Sequence, residues 1–138
     1  MRSIAIFTVL VAVGLAAPPA SAQQHQMPRG KPTPIVAPSE ISGVAGHELR
    51  AITNDFVAGA GTPRHVHPGD QWTVVQTGEV TMILNDGEPK IMKPGEMIRI
   101  PAGVPHETYN RTSQPARTLE IFVLEKGKPN ITMAPKAQ

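Results

Sequence analysis

His65 and His67 stand two residues apart, and Gln71 lies four residues beyond His67. Side chains alternate sides along a β-strand, so histidines two apart point to one face. His106 comes from a distant stretch and can close a site that no local segment makes alone. Neutral imidazole is a good ligand for divalent transition metals, and an amide oxygen suits the harder members of that series. His65, His67, Gln71 and His106 are therefore the candidate ligands for one divalent transition metal ion. In an octahedral sphere they leave two positions for water, dioxygen or a bidentate substrate. Such an open site is what catalysis needs, whereas a closed tetrahedral one would be structural. No side chain is assigned as a catalytic residue beyond those open positions.

The elements that must position these groups are short and heavily punctuated. Segments 49–57, 64–67, 71–76, 80–84, 90–92, 97–100, 106–109 and 117–124 read as strands, rich in β-branched residues and divided by Gly, Pro, Asn and Asp. Asn85-Asp86-Gly87 is a strong hairpin signal. No window of the folded part shows a sustained helical period. Many short strands with frequent turns imply an all-β sandwich or barrel.

Two blocks carry a more specific signal. Gly59, His65, His67, Gln71 and Gly78 are spaced G-x5-H-x-H-x3-Q-x6-G, and Gly95, Pro101, Gly103, His106 and Asn110 are spaced G-x5-P-x-G-x2-H-x3-N. These blocks resemble the two motifs of the cupin superfamily, which more often has Glu where this chain has Gln71. The resemblance covers roughly residues 48–126 and implies a double-stranded β-helix, the jelly-roll cupin barrel. It makes iron, manganese, nickel, zinc and copper all admissible as the metal. It also implies a small bacterial cupin similar to quercetin-dioxygenase-type proteins, expected to form a homodimer.

Gln71 changes the chemistry expected of that site. Glu would bring a negative charge and a potential base, and Gln brings neither. A neutral ligand set leaves the full charge on the metal, weakening its binding while making it a stronger electrophile. The alternative is a barrel that kept its shape and lost its metal. All three histidines and both turn frameworks argue against it.

The rest of the chain sets the context. Arg2, an uncharged apolar run from Ile4 to Ala16 and the sequence Ala20-Ser21-Ala22 read as a signal peptide over 1–22, cleaved after Ala22. The product is expected in the periplasm or outside the cell. The apolar run is well short of the ~20 residues that a membrane helix needs, so no membrane association is expected after cleavage. Residues 23–45 read as a Pro-rich arm or linker, 46–127 as the barrel and 128–138 as a polar tail. The formal net charge of +2 over 138 residues, with scattered basic residues, gives no case for nucleic acid. There is no cysteine, so neither disulfides nor thiolate ligands are available.

Counting parity from Gln71 and His106 points Thr73, Val75 and Thr108 inward, with Phe122 and the set Val80, Met82 and Leu84 as further lining. Trp72, Glu107 and Tyr109 then face outward, as does Asp70. No inward acid or base emerges from this count, which disfavours proton abstraction. The expected function is a metal-dependent, dioxygenase-like oxidoreductase acting on a small organic molecule. Two alternatives are a metal-dependent lyase or isomerase, and a non-catalytic periplasmic module binding a metal or small ligand. His47 reads as a surface residue. His25, third in the cleaved chain behind a free amine, has the placement that can wrap copper(II) or nickel(II) in a square-planar nitrogen set, and that placement reads as coincidence. Asn110 and Asn130 fit glycosylation sequons, but a backbone role explains Asn110 better.

Overall fold

The computed structural model describes residues 28–135. The expected signal peptide, its cleavage point and His25 lie outside them. The described chain contains ten strands and no helix: β1 (Lys31–Ile41), β2 (Val44–Phe56), β3 (Gly61–Val66), β4 (Gly69–Thr77), β5 (Val80–Leu84), β6 (Lys90–Met92), β7 (Met97–Ile100), β8 (His106–Tyr109), β9 (Ala116–Glu125) and β10 (Thr132–Met133). They form two five-stranded sheets, ordered β1-β2-β9-β4-β7 and β10-β3-β8-β5-β6. Every strand pairing within them is antiparallel. This is the all-β architecture expected from the turn-divided sequence, in the double-stranded β-helix form that the resemblance implies.

The long strands β4 and β9 alternate buried and half-buried positions along most of their length, as a half-buried strand should. Their inward face changes character along its length. At one end Phe56, Val75, Val80, Met82, Met92, Ile100 and Ala116 close into an apolar core between the sheets. Further along, the same face carries Gln71, Thr73, Thr118 and Glu120, all buried. Apolar burial at one end supplies the stability that buried polar groups at the other do not.

Turn chemistry sets the connections. Asn85 and Asp86 both have positive φ, 48° and 56°, as the hairpin signal at that position requires. Asn110 is buried and latches the end of β8: its Nδ2 donates to the carbonyls of Phe56 at 3.0 Å and Gln114 at 2.7 Å. Its Oδ1 accepts from the Thr112 amide at 3.0 Å. A backbone role is thus the one this asparagine plays. At Gly69 the strands β4 and β9 approach so closely that an added Cβ would lie 2.0 Å from the Val123 carbonyl oxygen.

The Pro-rich stretch is more than an arm leading into the barrel. Residues 31–41 form β1, paired along β2 from Lys31 opposite Asp55 to Ile41 opposite Val44. Proline lacks an N–H, and strands tolerate it where that donor would face a free edge. Pro32 and Pro34, two apart, can both meet that condition. The polar tail also joins the sheet, with Thr132 opposite Val66 and Met133 opposite His65.

Candidate metal centre

His65 lies on β3 and His106 directly opposite it on β8. His67 follows the end of β3, and Gln71 faces them from β4 in the other sheet. All four are buried. Ring centroids are 4.1 Å apart for His65 and His106, 4.8 Å for His65 and His67, and 5.1 Å for His67 and His106. One nitrogen from each ring lies within 4.8 Å of the other two. Among the described residues this is the one group of three or more His, Cys, Asp or Glu side chains close enough to share an ion.

The other ring nitrogens are occupied. His65 Nδ1 donates to the Pro63 carbonyl at 2.7 Å, and His106 Nδ1 to the Val104 carbonyl at 3.1 Å. His67 Nδ1 donates to the Asn130 carbonyl. Such bonds fix the tautomer that leaves the Nε2 lone pair free for a metal. Thr73 Oγ1 accepts from Gln71 Nε2 at 3.0 Å, which orients the amide and leaves its oxygen free. His67 Nε2, His106 Nε2 and Gln71 Oε1 are enclosed without a hydrogen-bond partner. Burial strips imidazolium of water, and it is the main cause that lowers His65 to about 4 and His106 to about 3. Burial lowers His67 as well, with the Asn130 carbonyl opposing it. Three imidazoles held neutral and an orphaned amide oxygen fit a divalent transition metal.

These groups line a cavity of about 260 Å³. Its inner part is His65, His67, Gln71, His106, Thr108 and Phe122, and its exposed rim includes Arg29, Pro32 and Ile131. The rim is built from the two segments expected to lie outside the barrel. The tail also reaches the ligands themselves, since Asn130 supplies the carbonyl that holds His67. Polar, Pro-containing sequence carries no period that could have announced this.

The parity count holds for Thr73, Val75, Thr108, Phe122, Val80 and Met82, all buried, while Leu84 is partly buried against the core. Asp70 faces outward, accepting from Arg99 Nη2 at 2.6 Å and the Ala102 amide at 3.0 Å. Tyr109 donates to Glu107 away from the cavity, its hydroxyl pushed up to about 12 mainly by burial.

The expectation that no acid faces inward is overturned. Glu120 lines the cavity, two residues before Phe122 on the same face of β9. Burial raises its pKa, opposed by donors from Thr118 Oγ1 at 3.0 Å and Asn54 Nδ2 at 3.3 Å. The count that placed Phe122 inward carries Glu120 with it. Asn54, two residues before the buried Phe56, follows from the same rule on β2.

A model of the Cupin domain family matches residues 54–122, half of the chain. No curated protein sequence matches at significant similarity. Among solved structures, an uncharacterised conserved protein with a double-stranded β-helix domain from Klebsiella pneumoniae is 17% identical, with a TM-score of 0.63 over 78% of this chain and 86% of that one. A cupin domain from Bordetella pertussis is 22% identical, with a TM-score of 0.57 over 71% and 96%. The DMSP lyase DddQ from Ruegeria pomeroyi is 20% identical, with a TM-score of 0.62 over 80% of this chain and 54% of that one. At these identities the likeness is one of fold. With the two motif blocks, the paired sheets and the histidine cluster in one barrel, the chain belongs to the cupin family.

Proposed function

We propose that this protein is a metal-dependent enzyme that acts on a small organic molecule inside the barrel. The observation that carries the reading is the convergence of three neutral imidazoles and one free amide oxygen on the inner wall of a cavity of about 260 Å³. His65, His67, His106 and Gln71 would hold one divalent ion, with iron, manganese, nickel, zinc and copper all compatible with the donor set. Bound there, the ion supplies electrophilic and redox chemistry beside a partly apolar wall. Phe122, Ile52, Pro32 and Ile131 exclude water from one side of a ligand, and Arg29 sets a positive charge at the rim.

The finer reading is a dioxygenase-like oxidoreductase, supported by a neutral ligand set with positions to spare. Glu120 favours a second reading, a lyase or isomerase. Its Oε1 is tied by Thr118 and Asn54, so Oε2 is the atom that would take or return a proton. The DMSP lyase among the similar folds uses a comparable barrel, which agrees with this reading and does not choose the substrate. The reading extends to export by cleavage after Ala22 and to a homodimer, for which exposed Ile35 and Val36 on the edge strand and Met97 on β7 offer apolar surface.

The test is elemental mass spectrometry of untagged protein, followed by two assays of the metal-loaded form. About one equivalent of metal supports the enzyme reading, and none after reconstitution with each candidate ion rejects it. Dioxygen uptake across a panel of small enolic and aromatic substrates would select the oxidoreductase. Solvent deuterium entering substrate under anaerobic conditions would select the lyase or isomerase.

A further inference from the structure

Glu120 and Asn54 stand beside the metal centre, not in it. They project from the inward faces of the paired strands β9 and β2 and are 8% and 6% exposed. Both bonds to Glu120 fall on Oε1, and Oε2 receives none among the described residues. Asn54 spends its Nδ2 on Glu120, while its Oδ1 is enclosed without a partner. An enclosed acceptor left unpaired is costly, so an arrangement of this kind calls for a ligand group. Gly30, also on the cavity wall, lets the arm lie close over Asn54: a Cβ there would be 2.6 Å from Oδ1.

We propose that Asn54 and Glu120 form a second binding subsite, which takes a hydroxyl group of the molecule whose other end is held at the metal centre. The proposal rests on the metal-enzyme reading and adds the class of ligand. A hydroxyl both donates and accepts, so it can meet Glu120 Oε2 in either protonation state, and it reaches Asn54 Oδ1 once the Gly30 backbone that covers that oxygen moves aside. The separation follows from register. Phe122 pairs with Gln71 and Glu120 with Thr73, which puts Glu120 one pleat, roughly 6.6 Å along the strand, from the ligand layer. A molecule spanning the two subsites carries an oxygen ligand and a hydroxyl separated by a chain of two to four atoms. Arg29 at the rim favours an anionic end, as in a short hydroxy acid.

Full-length untagged protein loaded with cobalt(II) gives the test, because its visible absorption reports both metal occupancy and ligand entry. The probes are 3-hydroxypropionate and propionate, which differ only in the hydroxyl. Wild type is expected to bind the hydroxy acid about tenfold tighter or more, as one good hydrogen bond to a buried polar pair allows. Glu120→Met and, independently, Asn54→Ala should each cut that preference to about threefold or less while cobalt stoichiometry stays unchanged. Equal affinities in wild type overturn the subsite, as does a preference that survives both substitutions or a loss that falls equally on the two probes. Failure to bind cobalt and every other candidate ion overturns the metal-enzyme reading and the subsite with it; metal bound without preference overturns the subsite alone.

Discussion

His65, His67 and His106 each give a ring N–H to a main-chain carbonyl, so each reaches the cavity with a chosen tautomer. Removing one ligand leaves the others aimed at nothing, and His106→Ala should reduce metal content below about one tenth of wild type by elemental analysis. Gln71→Glu adds a negative charge to a neutral set and should retain or tighten the metal, read by competition with a chelator. Equal metal in wild type and His106→Ala would remove the site. The same burial predicts a pH dependence for the metal-free protein. Unfolded imidazole takes a proton near 6.5, whereas folded His65 and His106 stay neutral until about 4 and 3. The unfolded state therefore binds more protons as pH falls through 6.5, and stability drops from there toward pH 4. Melting temperatures of metal-free protein between pH 7.5 and 4.5 check this, and a flat profile would contradict it. Residue types at short spacing made the histidines and Gln71 legible. Glu120 was legible too, through the parity that places Phe122, yet an acid on a strand stands out only when every inward position is read in turn.

Strands β2, β4 and β9 form one wall of the cavity and carry Asn54, Gln71, Glu120 and Phe122. At Gly69 the β4 backbone lies against β9, and Gly69→Ala would drive a Cβ into the Val123 carbonyl. The backbone cannot yield there without breaking the β4–β9 ladder. A loss of about 2–4 kcal/mol is expected, measured by denaturant unfolding. The tail invites a different test. A chain ending at Lys128 lacks both β10 and the carbonyl that fixes His67, and its metal affinity should fall about 10–100-fold while the barrel still melts cooperatively. Unchanged affinity would show that His67 needs no such partner. The central strands were readable from alternation and turn residues. The edge strand and the return strand were not, because prolines at a free edge and a two-residue pairing depend on long-range register, which no local pattern encodes.

At the scale of the whole molecule, a near-neutral charge and an apolar core at one end leave the other end to ligand binding. On the export reading, intact mass of protein recovered from the periplasm should begin at Gln23, and a chain retaining residue 1 would refute cleavage. Sedimentation should give twice the monomer mass if the homodimer forms, with a monomer at micromolar concentration counting against it. The family and its barrel were legible from two spaced blocks, while the mouth of the cavity was not, since it is assembled from segments far apart in the sequence. That arrangement has a consequence for folding. The partner of His67 is residue 130, so the segment that follows β9 must dock before His67 is held with its free nitrogen toward the cavity. Docking of that segment and tight metal binding are thereby linked, and each should favour the other.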